Sequence, residues 1–483
     1  MLNLSRIRIR RIALIVSLSA VMLISPQLEL LAQQQGGQAV AVLIPYRQGD
    51  KWGYSDARKK LVIPPVYGDA QPFEGDLARV KADGGEGFID LSGKLVVPFK
   101  YDQVRAFSNG LAVVKLKGKH GFIDKTGKEV IPLKYDEAET FSEGLAEIVV
   151  DRRHGFIDTS GKEVIPPIHI DAEAFAEGLT PVLVVEGNRY WRIFIDKNGK
   201  EIIGKLPDDS IGSFSEGLAA LANYSGTWRY IDKTGKEILN LGARYLQARK
   251  FSGGLAVVKS EDGKHGFIDK TGKLVIPVKY DEAETFVEGL ALVKSGDKFG
   301  FIDRNGVEVV PPEYDFAQPF SDGMAAVLLN NKWGYVGKDG KVAIPLTLDG
   351  VDPFAQGLAS VFGGGKLMYI DKSGKEVFES DYDENAPFSE GLARARLSVR
   401  WGCIDTSGKI VVPFKYDYIE RFSEGLAAVV RFNMWGFVNR SGQLVVPLKY
   451  DYVEAFSNGL ALVRLVDFEI GYVGRDGTEY FEP

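Results

Sequence analysis

A short string returns along this chain at a nearly fixed interval, and that recurrence limits what the chain can fold into more than any other property. Gly-Phe-Ile-Asp begins at Gly87, Gly121, Gly155, Gly266 and Gly300, with close variants at Gly53, Gly334, Gly402, Gly436 and Gly471. Worn copies at Ile193, Arg229 and Met368 bring the number to thirteen. Most steps are 34 residues; between Gly155 and Gly266 they lengthen to 38, 36 and 37. A second string, Phe-Ser-Glu-Gly-Leu-Ala, keeps step with the first at Phe141, Phe214, Phe388 and Phe422, with looser forms from Phe73 to Phe456. A period of this length means stacked supersecondary units, none of which buries its apolar face alone.

One copy, from Leu111 to Gly144, reads as three strands. Leu111–Leu116 is apolar, Lys117-Gly118 turns, and His120–Asp124 returns. Lys125-Thr126-Gly127 turns again into Glu129–Tyr135. The second turn has a mechanism: an Asp carboxylate accepts backbone N–H groups two residues on, and Gly supplies a positive φ. The same turn is expected at Asp90, Asp158, Asp232 and Asp405. The third strand carries a proline in most copies, as at Pro64, Pro98, Pro132, Pro277 and Pro447. Proline cannot donate to a ladder, so this strand is predicted at the sheet edge. Runs such as Leu111-Ala112-Val113-Val114 put apolar residues on both faces, so every sheet needs two neighbours. The 55 glycines and 21 prolines fit many short strands joined by tight turns.

These residues resemble the WG-repeat family, named for the pair seen here at Trp52-Gly53, Trp333-Gly334, Trp401-Gly402 and Trp435-Gly436. The resemblance implies an exported bacterial protein that binds or scaffolds without an assigned activity. The expected fold is all-β: about thirteen three-stranded antiparallel units in an open or partly closed superhelix. The alternative is two β-propeller-like rings, because thirteen units exceed the usual single ring of about eight blades. Copies at 187–250 are irregular, and a kink or lobe boundary is expected there.

The first residues differ from the rest. Arg6, Arg8, Arg10 and Arg11 precede an apolar or small stretch from Ile12 to Ile24, the layout of a secretory signal. The expected organisation is a signal peptide at 1–32, a linker at 33–38 and the array at 39–483, beginning with a strand Ala39–Ile44. An uncleaved signal anchor is the alternative. The expected location is the periplasm, cell envelope or extracellular space, with no stable membrane span once the signal is removed. A net charge of −6 argues against nucleic-acid partners, whose binding rests on Lys and Arg at phosphates. The single cysteine, Cys403, occupies a position that is Phe or Tyr in sister copies and reads as a buried apolar thiol.

Motifs that carry chemistry are scarce in the sequence. Gly-Lys pairs such as Gly127-Lys128 lack the Ser or Thr of a phosphate-binding loop, and no Gly-x-Ser-x-Gly elbow occurs. No cofactor, metal site or catalytic residue is expected. One position is a candidate for binding: Trp52, Trp228, Trp333, Trp401, Trp435, His120, His154 and His265 all precede the glycine of their copies or the residue that replaces it. Such rings either pack on exposed backbone or line a surface that stacks against sugar rings or partner side chains. Glu143, Glu216, Glu390 and Glu424 recur beside turns, and so do Asp102, Asp136, Asp281, Asp315, Asp417 and Asp451 of Tyr-Asp. Acid–base catalysis needs one pair in unequal surroundings, so capping and solvation explain these better. The function expected is a non-enzymatic exported repeat protein presenting a surface to a protein or glycan partner. The alternative is a propeller-like hydrolase acting on cell-wall or extracellular glycans. Its discriminating feature would be an irregular acid pair, for which only Asp208 and Asp209 stand out.

Overall fold

The computed structural model describes residues 42–482 apart from 207, 224, 466 and 468. The expected signal peptide and linker, 1–38, lie outside the described residues. All regular elements among the described residues are strands, arranged in thirteen small sheets that are numbered 1 to 13 in the order in which their hairpins occur along the chain.

Sheet 4 shows the unit. A two-residue lead strand, Glu137–Ala138, is followed by a hairpin of Leu145–Val150 and Arg153–Asp158 and then by a proline strand, Glu163–His169. They lie antiparallel in that spatial order. Three of the four are those predicted; the lead strand is an addition, since two residues carry no periodicity to read. The proline strand ends the order, at the edge where its missing N–H does no harm. The predicted Asp turn also forms. Asp124 Oδ1 accepts the N–H of Thr126 at 2.8 Å and of Lys128 at 3.1 Å, and Gly127 closes the turn at φ 81°. Asp90, Asp158, Asp232 and Asp405 do the same.

The proline strand explains the recurring glycine. In sheet 3, pairing steps from His120–Tyr135 to Phe122–Ile131, so the proline strand holds two residues more than its partner. The surplus folds over Gly121, where a Cβ would stand 2.6 Å from the Ile131 carbonyl oxygen and 2.8 Å from the Leu133 nitrogen. All nine sheets that carry the proline have this surplus and a glycine beneath it. Where Gly204, Asn240 or Glu379 replaces the proline, the surplus shrinks or vanishes, and Ile193, Arg229 or Met368 fills the glycine position.

Stacking follows from strand alternation. Leu111, Val113, Phe122, Ile131 and Tyr135 of sheet 3 face forward onto Ala138, Phe141, Ala146, Ile148 and Ile157 of sheet 4. Ala112, Val114 and Ile123, on the other face, pack back onto sheet 2. Each hairpin therefore serves two cores. The long copies do not interrupt this. The hairpin of sheet 5, Leu179–Glu186 with Arg189–Asp196, has two more residues per strand than that of sheet 4. The core of Leu179, Phe194 and Ile203 continues into Ala219, Leu221 and Ile231 of sheet 6. Residues 43–483 form one compact unit.

The two ends of the array meet. In sheet 1 the first strand among the described residues is Ile44–Gln48, where Arg47 pairs with Trp52 around the turn at Gly49; the first three residues of the expected strand Ala39–Ile44 lie outside the described residues. Among the described residues its lead-strand place is taken by Phe481–Glu482, running parallel to Ile44–Gln48. Tyr472 and Tyr480 join Ile44, Tyr46 and Trp52 in one core. The form is thus the propeller-like one, with thirteen sheets in a single circuit rather than two.

Candidate binding surface

The candidate rings open the second hairpin strand of their sheets, close to the hairpin tip. Trp52 is 3% exposed, and His120 and His265 are each 8% exposed. Trp228, Trp333, Trp401, Trp435 and His154 are half-buried. Several lean on a lead strand. His120 Nδ1 lies 2.7 Å from the Asp136 carbonyl and His265 Nδ1 2.8 Å from that of Asp281, so each Nδ1 carries the proton and donates. Trp228 Nε1 donates to the Leu246 carbonyl at 2.8 Å. Trp333 meets Phe316 edge-on at 5.9 Å, and Trp401 meets Tyr418 in the same way. His154 departs from this pattern: its Nδ1 is 2.6 Å from Glu147 Oε1 in its own sheet.

Sheets 11 to 13 add residues that sequence reasoning did not single out. Arg394 lies over both Trp401 and Tyr418, at 6.0 and 5.7 Å. Arg431 covers Phe432 and Arg464 covers Tyr452. Phe432, at a hairpin tip, is 71% exposed, and Tyr418 and Tyr452 are also exposed. Their signal was present but local: aromatic rings stand at lead-strand positions that hold Glu137 in sheet 4 and Glu282 in sheet 8.

The recurring carboxylates join sheets together. Asp136 Oδ2 accepts the Asp151 N–H at 2.7 Å at the tip of its own sheet, while Oδ1 meets Lys119 of the preceding sheet at 2.6 Å. Glu143 sits at φ 50°, an unfavourable region for a residue with a side chain, and accepts the N–H groups of Glu177 and Gly178 in the next sheet. Burial raises the Glu143 pKa, but Lys197 and those N–H groups outweigh it and hold the carboxyl below its usual range. Glu216 and Glu424 are engaged in the same manner. Asp208 and Asp209 supply backbone to the lead strand Asp208–Ile211; their side chains lie outside the described residues. Cys403 is fully buried, its thiol pushed up to about 12 by burial against the opposing pull of Arg394, as suits an apolar packing role.

Sheet 4 holds an irregular pair. His169 replaces the tyrosine found at Tyr101, Tyr135 and Tyr280, is 5% exposed, and leaves Nδ1 without a partner. Burial, then the nearby His154, lowers its pKa. A histidine with a depressed folded-state pKa contributes stability that is complete above the unfolded value near 6.5 and is lost as pH falls below it. His169→Tyr is therefore expected to raise the melting temperature more at pH 5 than at pH 7.5. A gap between variant and wild type that does not widen on acidification would remove His169 as the cause.

Closed stacking of small sheets joined by carboxylates defines a β-repeat protein of propeller-like form. The chain belongs to the family described as "WG containing repeat", whose model matches residues 52–85, 87–119, 121–152, 155–188, 228–264, 266–299, 299–333, 333–366, 368–398, 401–431 and 435–465. No curated protein matches the chain. Among solved structures it is similar to a eukaryotic initiation factor, with 11% identity, TM-score 0.30, and coverage of 71% of this chain and 96% of that one. It is also similar to BamB from Moraxella catarrhalis, with 12% identity, TM-score 0.23, and coverage of 70% and 96%. A third is the computationally designed Ika8 protein, with 12% identity, TM-score 0.26, and coverage of 56% and 97%.

Proposed function

We propose that this is a non-enzymatic exported repeat protein whose array presents a binding surface to a protein or glycan partner in the cell envelope. The observation that carries the reading is the set of arginine–ring contacts in sheets 11 to 13: Arg394 over Trp401 and Tyr418, Arg431 over Phe432 and Arg464 over Tyr452. Trp, Tyr and Arg are the side chains on which interface energy concentrates, and aromatic faces also suit sugar rings. The linking role of the recurring carboxylates supports a non-enzymatic protein, since they are committed to structural contacts. Export is supported by the Arg-rich, apolar first residues. No helix among the described residues is long and apolar enough to cross a membrane.

The test uses protein purified from the envelope fraction, whose N-terminal residue is expected near Gln33. Partners captured from envelope extract are compared for wild type, Trp401→Ala/Trp435→Ala and Trp52→Ala. The double variant is expected to keep its melting temperature within a few degrees and to lose capture. Trp52→Ala removes a buried ring and is expected to cost about 3 to 5 kcal/mol of stability. Undiminished capture by the double variant, or its unfolding, would reject the surface as the binding site.

A further inference from the structure

The circuit is edited where its ends meet. In sheets 13, 1 and 2 the ring position holds Ile470, Trp52 and Glu86 in turn. Gly68 stands where Asp102, Asp136 and Asp281 cap hairpin tips elsewhere, so sheet 2 lacks the carboxylate that ties its tip to the preceding sheet. The hairpin of sheet 13 crosses from Arg464 to Ile470, whereas that of sheet 3 turns between Leu116 and Lys119. Together these changes leave a cleft of about 860 Å³ whose lining includes Trp52 and Ile470, which falls within the roughly 300–1,000 Å³ of ligand pockets.

Charge on its walls is lopsided. Asp50, Asp69, Asp83 and Asp467 line the cleft with Arg47 and Lys81. Some acids there are already engaged: Glu469 by Arg47, Glu86 by the Val104 N–H, and Asp69 by the Gln71 amide at 3.2 Å. Arg47 is 4% exposed, and its Nε has no partner, leaving one buried N–H for an acceptor that the protein does not supply. No set of three His, Cys, Asp or Glu among the described residues is placed to hold a metal ion. The acids are spread along the cleft, an arrangement that suits cations borne on a chain better than one small ion.

We propose that the seam between sheets 13, 1 and 2 is a binding site for an extended basic peptide segment. Its Lys or Arg side chains reach the aspartates, a backbone carbonyl accepts the Arg47 Nε–H, and its aliphatic stems lie on Ile470. This goes beyond the reading of sheets 11 to 13, and failure here leaves the Trp401 and Trp435 test standing.

The probe is fluorescein-labelled hexalysine titrated with the full chain, read by anisotropy, with labelled hexaglutamate as the counter-probe. Hexalysine is expected to bind, more weakly as salt rises, and hexaglutamate is not. Asp50→Asn/Asp83→Asn/Asp467→Asn changes three exposed residues and is expected to keep the melting temperature while weakening hexalysine about tenfold or more. Glu137→Gln/Glu261→Gln/Asp297→Asn removes as much charge from exposed positions elsewhere and is expected to bind as wild type does. No binding of hexalysine, or equal weakening by both triple variants, would overturn the site; the second result would reduce the effect to overall charge.

Discussion

Gly121→Ala is expected to destabilise the protein by about 3 kcal/mol or more, while Gly144→Ala, in the same family of recurring glycines, costs about 1 kcal/mol. The two positions look alike in the sequence and differ in cause. Gly144 has φ 88°, and a Cβ there would find nothing within 4 Å, so alanine meets only conformational strain. Gly121 lies outside the positive-φ region, but its Cβ would meet three backbone atoms of the proline strand within 2.8 Å. Backbone cannot rotate aside as a flexible side chain can. The surplus at Pro132 and Leu133 would have to lift, dislodging Ile131 and Tyr135, both fully buried in the core shared with sheet 4. Sheet 10 supplies the natural control: it lacks the proline, pairs Met368 with Glu379 without a surplus, and tolerates a full side chain. Denaturant midpoints of the two variants decide the matter. A loss below about 1 kcal/mol for Gly121→Ala would show that the strand yields easily and that close approach does not maintain this glycine.

Much of the fold was legible because each copy repeats the same physical instructions. Asp124 with Gly127 specifies a turn by local hydrogen bonding, Pro132 specifies an edge, and Leu111 to Val114 specify two buried faces; all three hold in the structure. The lead strand was not legible, because Glu137–Ala138 is too short to show a period. Nor was the role of Glu143: its hydrogen bonds run to the next copy, and a partner 34 or 35 residues away leaves no mark on local propensity. The candidate rings were legible as a position but not as a surface. Trp52 and Trp401 carry the same residue in the same place, yet Trp52 is enclosed with Tyr472 at the seam, while Trp401 lies half-buried beneath Arg394. Burial depends on neighbouring copies, which the string around each tryptophan does not describe. Closure was hidden for a similar reason, since Glu479-Tyr480-Phe481 resembles the start of an ordinary third strand.

Removal of residues 478–483 is expected to open the circuit, and its effect should exceed that of any surface change. Tyr480 and Phe481 are 3% and 5% exposed and serve different cores: Tyr480 packs with Ile44, Tyr46 and Trp52, and Phe481 packs with Tyr450, Phe456 and Val473. Around them, the Arg47 N–H donates to the Tyr480 carbonyl at 2.9 Å and the Tyr46 hydroxyl donates to Glu482 at 2.8 Å. Replacing either ring by alanine is expected to cost about 3 to 5 kcal/mol. Deletion goes further, because it takes the lead strand from sheet 1 and exposes an apolar face on each side of the seam. In a stack held by nearest-neighbour contacts, free ends fray first. Amide exchange should therefore accelerate in sheets 1 and 13, around Ile44–Tyr67 and Tyr452–Gly474, and change little in sheets 6 and 7. The melting transition should fall and broaden as the ends unfold ahead of the middle. Closure would be denied an energetic role if protection at sheet 1 survived the deletion unchanged. If sheets 6 and 7 lost protection equally, the array would behave as one cooperative body, and the nearest-neighbour description would give way.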